Sequence, residues 1–253
     1  MKKILVLVCS VIILFSTSVY SNIQLTATNL GNNQIAIGYN VTSGSNVPIG
    51  FGLNMILSDG ATFERVVSTS SLFPLFPGSI AFDMHGNVTN WGIPVSPIYN
   101  PGTLGAIGSS GITLEMSANI SIIPAVNNDI RDLNRDGLIN YNDYSIFANN
   151  WLIDGFRIQG DLNDDYFVNM VDMAFLADSQ GISSNLSQLI VLEIDLNGAT
   201  NPMLRITPEA TYRGGIVADD GTIFSVDQFQ FIVPEPGTLI LICVVGMILR
   251  KRN

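Results

Sequence analysis

Residues Asp132-Leu133-Asn134-Arg135-Asp136-Gly137-Leu138-Ile139-Asn140-Tyr141-Asn142-Asp143 are matched 29 positions later by Asp161-Leu162-Asn163-Asp164-Asp165-Tyr166-Phe167-Val168-Asn169-Met170-Val171-Asp172. In both stretches an oxygen-bearing side chain stands at positions 1, 3, 5, 9 and 12. Asp and Asn favour turns wherever they occur, but two loops in the same register ask for a common cause. A hard cation supplies one. Calcium takes six to eight oxygen ligands in flexible geometry, and a twelve-residue loop with this alternation wraps around it. The expected ligands of the first site are Asp132, Asn134, Asp136, the backbone carbonyl of Leu138, Asn140 and Asp143. Those of the second are Asp161, Asn163, Asp165, the carbonyl of Phe167, Asn169 and Asp172. Two bound calcium ions are therefore expected.

Behind each loop the apolar spacing turns helical, with Tyr144, Phe147, Ala148 and Trp151 after the first and Met173, Leu176 and Ala177 after the second. Asp143 and Asp172 then stand at helix starts, where a carboxylate suits the helix dipole. The β-branched residues at position 8, Ile139 and Val168, are expected to pair the loops back to back through a short strand contact. Position 6, where the loop turns sharply, is Gly137 in the first copy and Tyr166 in the second. A side chain is strained in that turn, so the second site is expected to be the weaker.

On either side of this region the period is two. Ile23, Leu25 and Ala27, then Ile35, Ile37, Tyr39 and Val41, then Phe51, Leu53, Met55 and Leu57 alternate with other residues, as half-buried strands do. Asn32-Asn33 and Asp59-Gly60 supply turns, and an antiparallel meander follows as the natural reading. From Ser70 to Gly111 the chain is rich in Gly and Pro and reads as a surface excursion, with short strands expected near Ile80 and Trp91. Strands resume at Ile112, Leu114 and Met116, whose alternates Thr113, Glu115 and Ser117 are expected to face water. After the loops come Ile190, Leu192, Ile194 and Leu196, then Leu204 and Ile206, then Tyr212 to Ala218. Residues 183–232 are too few for a core of their own. The expected fold is thus mainly β: one antiparallel β-sandwich from residues 22–127 and 183–232, interrupted by a small α-helical calcium module at 128–182.

Both termini read as targeting segments. Lys2 and Lys3, an apolar run from Ile4 to Phe15 and a polar stretch to Asn22 make residues 1–21 an expected secretory signal. Residues 233–253 hold Pro234-Glu235-Pro236, an apolar stretch from Leu239 to Leu249 and the basic Arg250-Lys251-Arg252, an order of parts that by itself fits a carboxy-terminal membrane anchor. Cys9 and Cys243 lie in these segments, so the region between has neither a disulfide nor a catalytic thiol. Between Asn22 and Val233 stand 20 acidic side chains against 6 arginines and no lysine. That surface disfavours nucleic acid and anionic membrane and suits a bound cation.

The tandem loops, each ending in Asp, resemble the dockerin family, and Phe147-Ala148-Asn149-Asn150-Trp151-Leu152 is similar to the dockerin modules of planctomycetes. The resemblance spans about 50 residues and implies EF-hand-like calcium binding and docking to a cohesin-like protein partner through loop positions 10 and 11. Here those are Tyr141 and Asn142, then Met170 and Val171, which differ from the small hydroxyl pair common in cellulosomal dockerins. The carboxy-terminal parts resemble the PEP-CTERM sorting signal, which implies a secreted, cell-surface or matrix location in a bacterium. Arg213-Gly214-Gly215-Ile216-Val217 and Asp220-Gly221 faintly resemble cohesin-like and carbohydrate-binding-module-like sandwiches.

No catalytic constellation stands out. His85 with Asp83 reads as a surface turn; Glu64, Glu115, Glu193 and Glu209 are the glutamates from which a glycosidase pair would have to come. Phe82, Trp91 and Tyr99 would be the candidates for a sugar platform. The expected function is that of a non-enzymatic, calcium-binding docking protein, with a carbohydrate-binding role in polysaccharide breakdown as the alternative and a glycoside hydrolase further behind.

Overall fold

The computed structural model describes residues 22–77, 81–82, 88–90, 108–153, 159–210, 213–226 and 229–233. The terminal segments, His85, Asp83, Trp91 and Tyr99 lie outside them, as does the side chain of Phe82. Among the described residues no helix is long and apolar enough to cross a membrane. In chain order the strands are β1 (Asn22–Gly31), β2 (Gln34–Ser43), β3 (Pro48–Leu57), β4 (Thr62–Thr69), β5 (Ala81–Phe82), β6 (Val88–Asn90), β7 (Gly111–Ser117), β8 (Ile123–Pro124) and β9 (Leu138–Ile139). Helices α1 (Tyr141–Asn149) and α2 (Met170–Leu176) follow, then β10 (Asn185–Asp195), β11 (Met203–Pro208), β12 (Ile216–Ala218) and β13 (Phe229–Ile232). The protein is mainly β, and the paired strands of its sheets are antiparallel.

Asn32 and Asn33 take φ values of 52° and 60°, the double left-handed turn that matches strand twist and closes β1 on β2 as a hairpin. The expected meander stops there. β3 pairs with neither β2 nor β4; β10 occupies the place between them, giving the order β1-β2-β10-β4. In the second sheet β3 is central, with β7 along one edge and β11 then β12 along the other. The reason is non-local. Turn residues do not decide it: Asp59-Gly60 takes a pair of positive φ values as Asn32-Asn33 does, yet β3 and β4 lie in different sheets. The strand at Ile190 to Leu196 does pair with strands that precede residue 128, through Ile190↔Ile37 and Ile190↔Thr69.

The inward residues of both sheets belong to one hydrophobic cluster. Tyr39 on β2 and Phe51 on β3 stand 5.4 Å apart, and Phe73 packs edge-on against both. The Tyr39 hydroxyl donates to Ser183 O at 2.8 Å, and burial raises its pKa. Every residue of β7 is buried, including Thr113, Glu115 and Ser117. These three were expected to face water. They do not, because the loop and helix region lies over that face: Trp151, just after α1, donates to Glu115 Oε1.

Candidate metal centre

Each loop is built by its own main chain. Asp136 N donates to both Asp132 Oδ1 (3.1 Å) and Asn134 Oδ1 (2.9 Å), Gly137 N to Asp132 Oδ2 (2.9 Å), and Leu138 N to Asp136 Oδ1 (2.9 Å). The second loop repeats this bond for bond: Asp165 N to Asp161 Oδ1 and Asn163 Oδ1 (both 3.0 Å), Tyr166 N to Asp161 Oδ2 (3.1 Å), Phe167 N to Asp165 Oδ1 (2.9 Å). The main chain at position 5 is thereby tied to the side chains at positions 1 and 3 in both loops. Asn134 and Asn163 each donate Nδ2 to the position-5 carboxylate at 2.8 Å.

Positions 9 and 12 act together at the helix starts. Asn140 caps α1 and Asn169 caps α2, each in a reciprocal capping box with Asp143 or Asp172 at the third helical residue. Asp143 Oδ1 accepts from Leu133 N and Asn134 N, and Oδ2 from Asn140 N; Asp172 does the same with Leu162, Asn163 and Asn169. These carboxylates tie the end of each loop to its beginning. A carboxylate has about four lone-pair sites, so these bonds leave acceptor capacity. Both side chains are fully buried. Burial pushes the Asp172 carboxyl up to about 7 against the opposing pull of its three N–H donors, and raises Asp143 for the same reason.

Among the described residues no group of three or more His, Cys, Asp or Glu side chains forms a metal cluster. The side-chain oxygens that each loop offers are instead a mixture of carboxylate and amide, a mixture that suits calcium. The position-7 side chains fit a residue lending only its carbonyl, since Leu138 and Phe167 are both exposed. A cavity of about 510 Å³ lined by Asp129, Asp132, Arg135 and Gly137 opens beside the first loop.

No family model, curated protein or solved structure matches the chain. The two loops differ at position 6. Tyr166 adopts φ 75°, close to the 87° of Gly137, so the second loop makes the same turn with a side chain in the left-handed region. Space is not the difficulty: a Cβ on Gly137 would meet nothing within 4 Å, and Tyr166 is 66% exposed. The cost is backbone strain alone. Gly137→Ala is accordingly expected to weaken the first site by about 1 kcal/mol, read as a five- to tenfold rise in its calcium dissociation constant.

The expected back-to-back contact between positions 8 is absent. Ile139 pairs with Ile123 across β8 and β9, whereas Val168 exchanges main-chain bonds with Leu152 and Ile153. Both side chains are buried in the common cluster, so β-branching there served burial rather than mutual pairing.

Sequence reasoning missed the polar group beneath the loops. Glu115 Oε1 accepts from Arg213 Nε at 2.6 Å and from Trp151 Nε1 at 3.2 Å, with Glu115 and Arg213 both buried. Glu209 Oε2 lies 3.5 Å from Arg213 Nη1. The available signal was Gly50 and Gly52 alternating in a strand, a mark of close approach by another segment.

Proposed function

We propose that this chain is a non-catalytic, calcium-binding protein of the bacterial surface or extracellular space. Its two sheets form one β-sandwich, into which residues 128–182 are inserted as a dockerin-like module. The observation that supports the calcium reading is the bond-for-bond correspondence of the two loops, in which the main chain at Asp136 is tied to Asp132 and Asn134 as the main chain at Asp165 is tied to Asp161 and Asn163. When bound, calcium would supply charge neutralisation and hold loop and helix in one geometry; no chemistry on a substrate is asked of it. The insertion is supported by β10 and β11 pairing with β2, β4 and β3. The non-catalytic reading is supported by Glu115, which is buried and committed to Arg213 and Trp151, and by Glu193, whose carboxylate is held by Arg65 at 2.7 Å.

Docking to an outside protein falls to the first repeat. There Asn142 is exposed and Tyr141 is partly exposed, its hydroxyl donating to Asn119 Oδ1. The terminal segments account for export and surface placement in this reading.

Titration calorimetry of the mature chain is expected to show two calcium sites, with Asp132→Ala removing one and Asp161→Ala the other. Absence of calcium heat in the unsubstituted chain, or loss of neither site on substitution, would sink the proposal.

A further inference from the structure

We propose that the second calcium loop works in cis: the helix that completes it is docked on the chain's own β-sheet, and calcium in that loop fixes the docked state. This rests on the calcium reading above. Four consecutive residues carry the argument. Asn169 and Asp172 turn back to their loop through the capping box, while Met170 and Val171, between them, turn toward the sheet.

The sheet is shaped to receive them. A Cβ on Gly50 of β3 would collide with Met170 Sδ, and Met170 is fully buried. Gly214, at φ 81°, lies so close to the loop that a Cβ there would come within 2.8 Å of Asn169 Oδ1 and 3.0 Å of Val171 N. Met170 N donates to Arg213 O at 3.1 Å, a main-chain tie between the start of α2 and the segment leading into β12. The other end of α2 is held too: Ser121 N donates to Leu176 O and Asp178 N to Asn119 O, in the segment that continues β7.

One helical turn thus joins loop geometry to docking geometry. In the first repeat the equivalent residues are Tyr141 and Asn142, which no glycine of β3 receives. If calcium binding and docking favour the same state, each must strengthen the other by the same factor. The consequence is asymmetric: the first repeat keeps Asn142 exposed at the equivalent position, and the second stabilises the Arg213–Glu115 region of its own sheet.

The test uses the full mature chain and calcium itself. In an Asp132→Ala background, which leaves only the second site, Met170→Ala is expected to weaken calcium binding about tenfold. In an Asp161→Ala background the same substitution should change the first site by less than about twofold. Met170 offers no ligand side chain, and alanine keeps both its amide and its helix propensity. Hydrogen exchange on the unsubstituted chain provides a second measurement: chelator should raise exchange in residues 214–218 at least tenfold more than in β1 and β2. Calcium binding with an unchanged second site, or chelator-insensitive exchange in 214–218, overturns the cis role alone. Absence of calcium binding in the unsubstituted chain overturns it together with the calcium reading.

Discussion

Substituting Glu115 by alanine is expected to destabilise the folded chain by about 3–5 kcal/mol, the cost of leaving a buried charge without its partner. Arg213 is 0% exposed and Glu115 1%, and their contact of 2.6 Å is the one hydrogen bond that the guanidinium makes among the described residues. Glu209 approaches Nη1 at 3.5 Å without hydrogen-bond geometry, so it offsets only part of the loss. The same substitution removes the acceptor of Trp151 Nε1. Replacing the pair together, Glu115→Ala with Arg213→Met, should recover most of the stability, because the desolvated charge leaves with its partner. Urea denaturation monitored at Trp151 in a Trp91→Phe background measures both. A single substitution costing under about 1 kcal/mol, or a double one worse than the single, would show that the pair is not buried as described.

Removing calcium should have a comparable effect. At a free concentration a thousand times the dissociation constant, a single site adds about 4 kcal/mol to the native state. For a chain of this size that corresponds to a fall in melting temperature of about 8–16 °C on chelation. The physical source is repulsion between like charges: Asp132 bears on Asp143 in one loop and Asp165 on Asp172 in the other, each raising the buried position-12 carboxyl. Differential scanning calorimetry with and without chelator measures the shift, and magnesium at equal concentration should not restore it, since it demands smaller, near-octahedral geometry. A melting curve indifferent to chelator, or equally restored by magnesium, would count against calcium.

What the sequence determined by itself was local. Ile35, Ile37 and Tyr39 announce a strand because side-chain alternation is a property of a single extended segment. Asn32-Asn33 announces its hairpin because positive φ is a property of the residue. The helix starts at Asp143 and Asp172 and the helices behind them follow for the same reason, whereas the caps Asn140 and Asn169 came from the structure. The tertiary structure decided which strands are neighbours and what covers them. Nothing within Pro48–Leu57 says that it lies between β7 and β11 rather than beside β2, because its partners come from segments distant in the chain. Glu115 shows the limit most clearly. Alternation assigned it to the face opposite Leu114, but whether that face meets water depends on Trp151 and Arg213, 36 and 98 residues away in the chain.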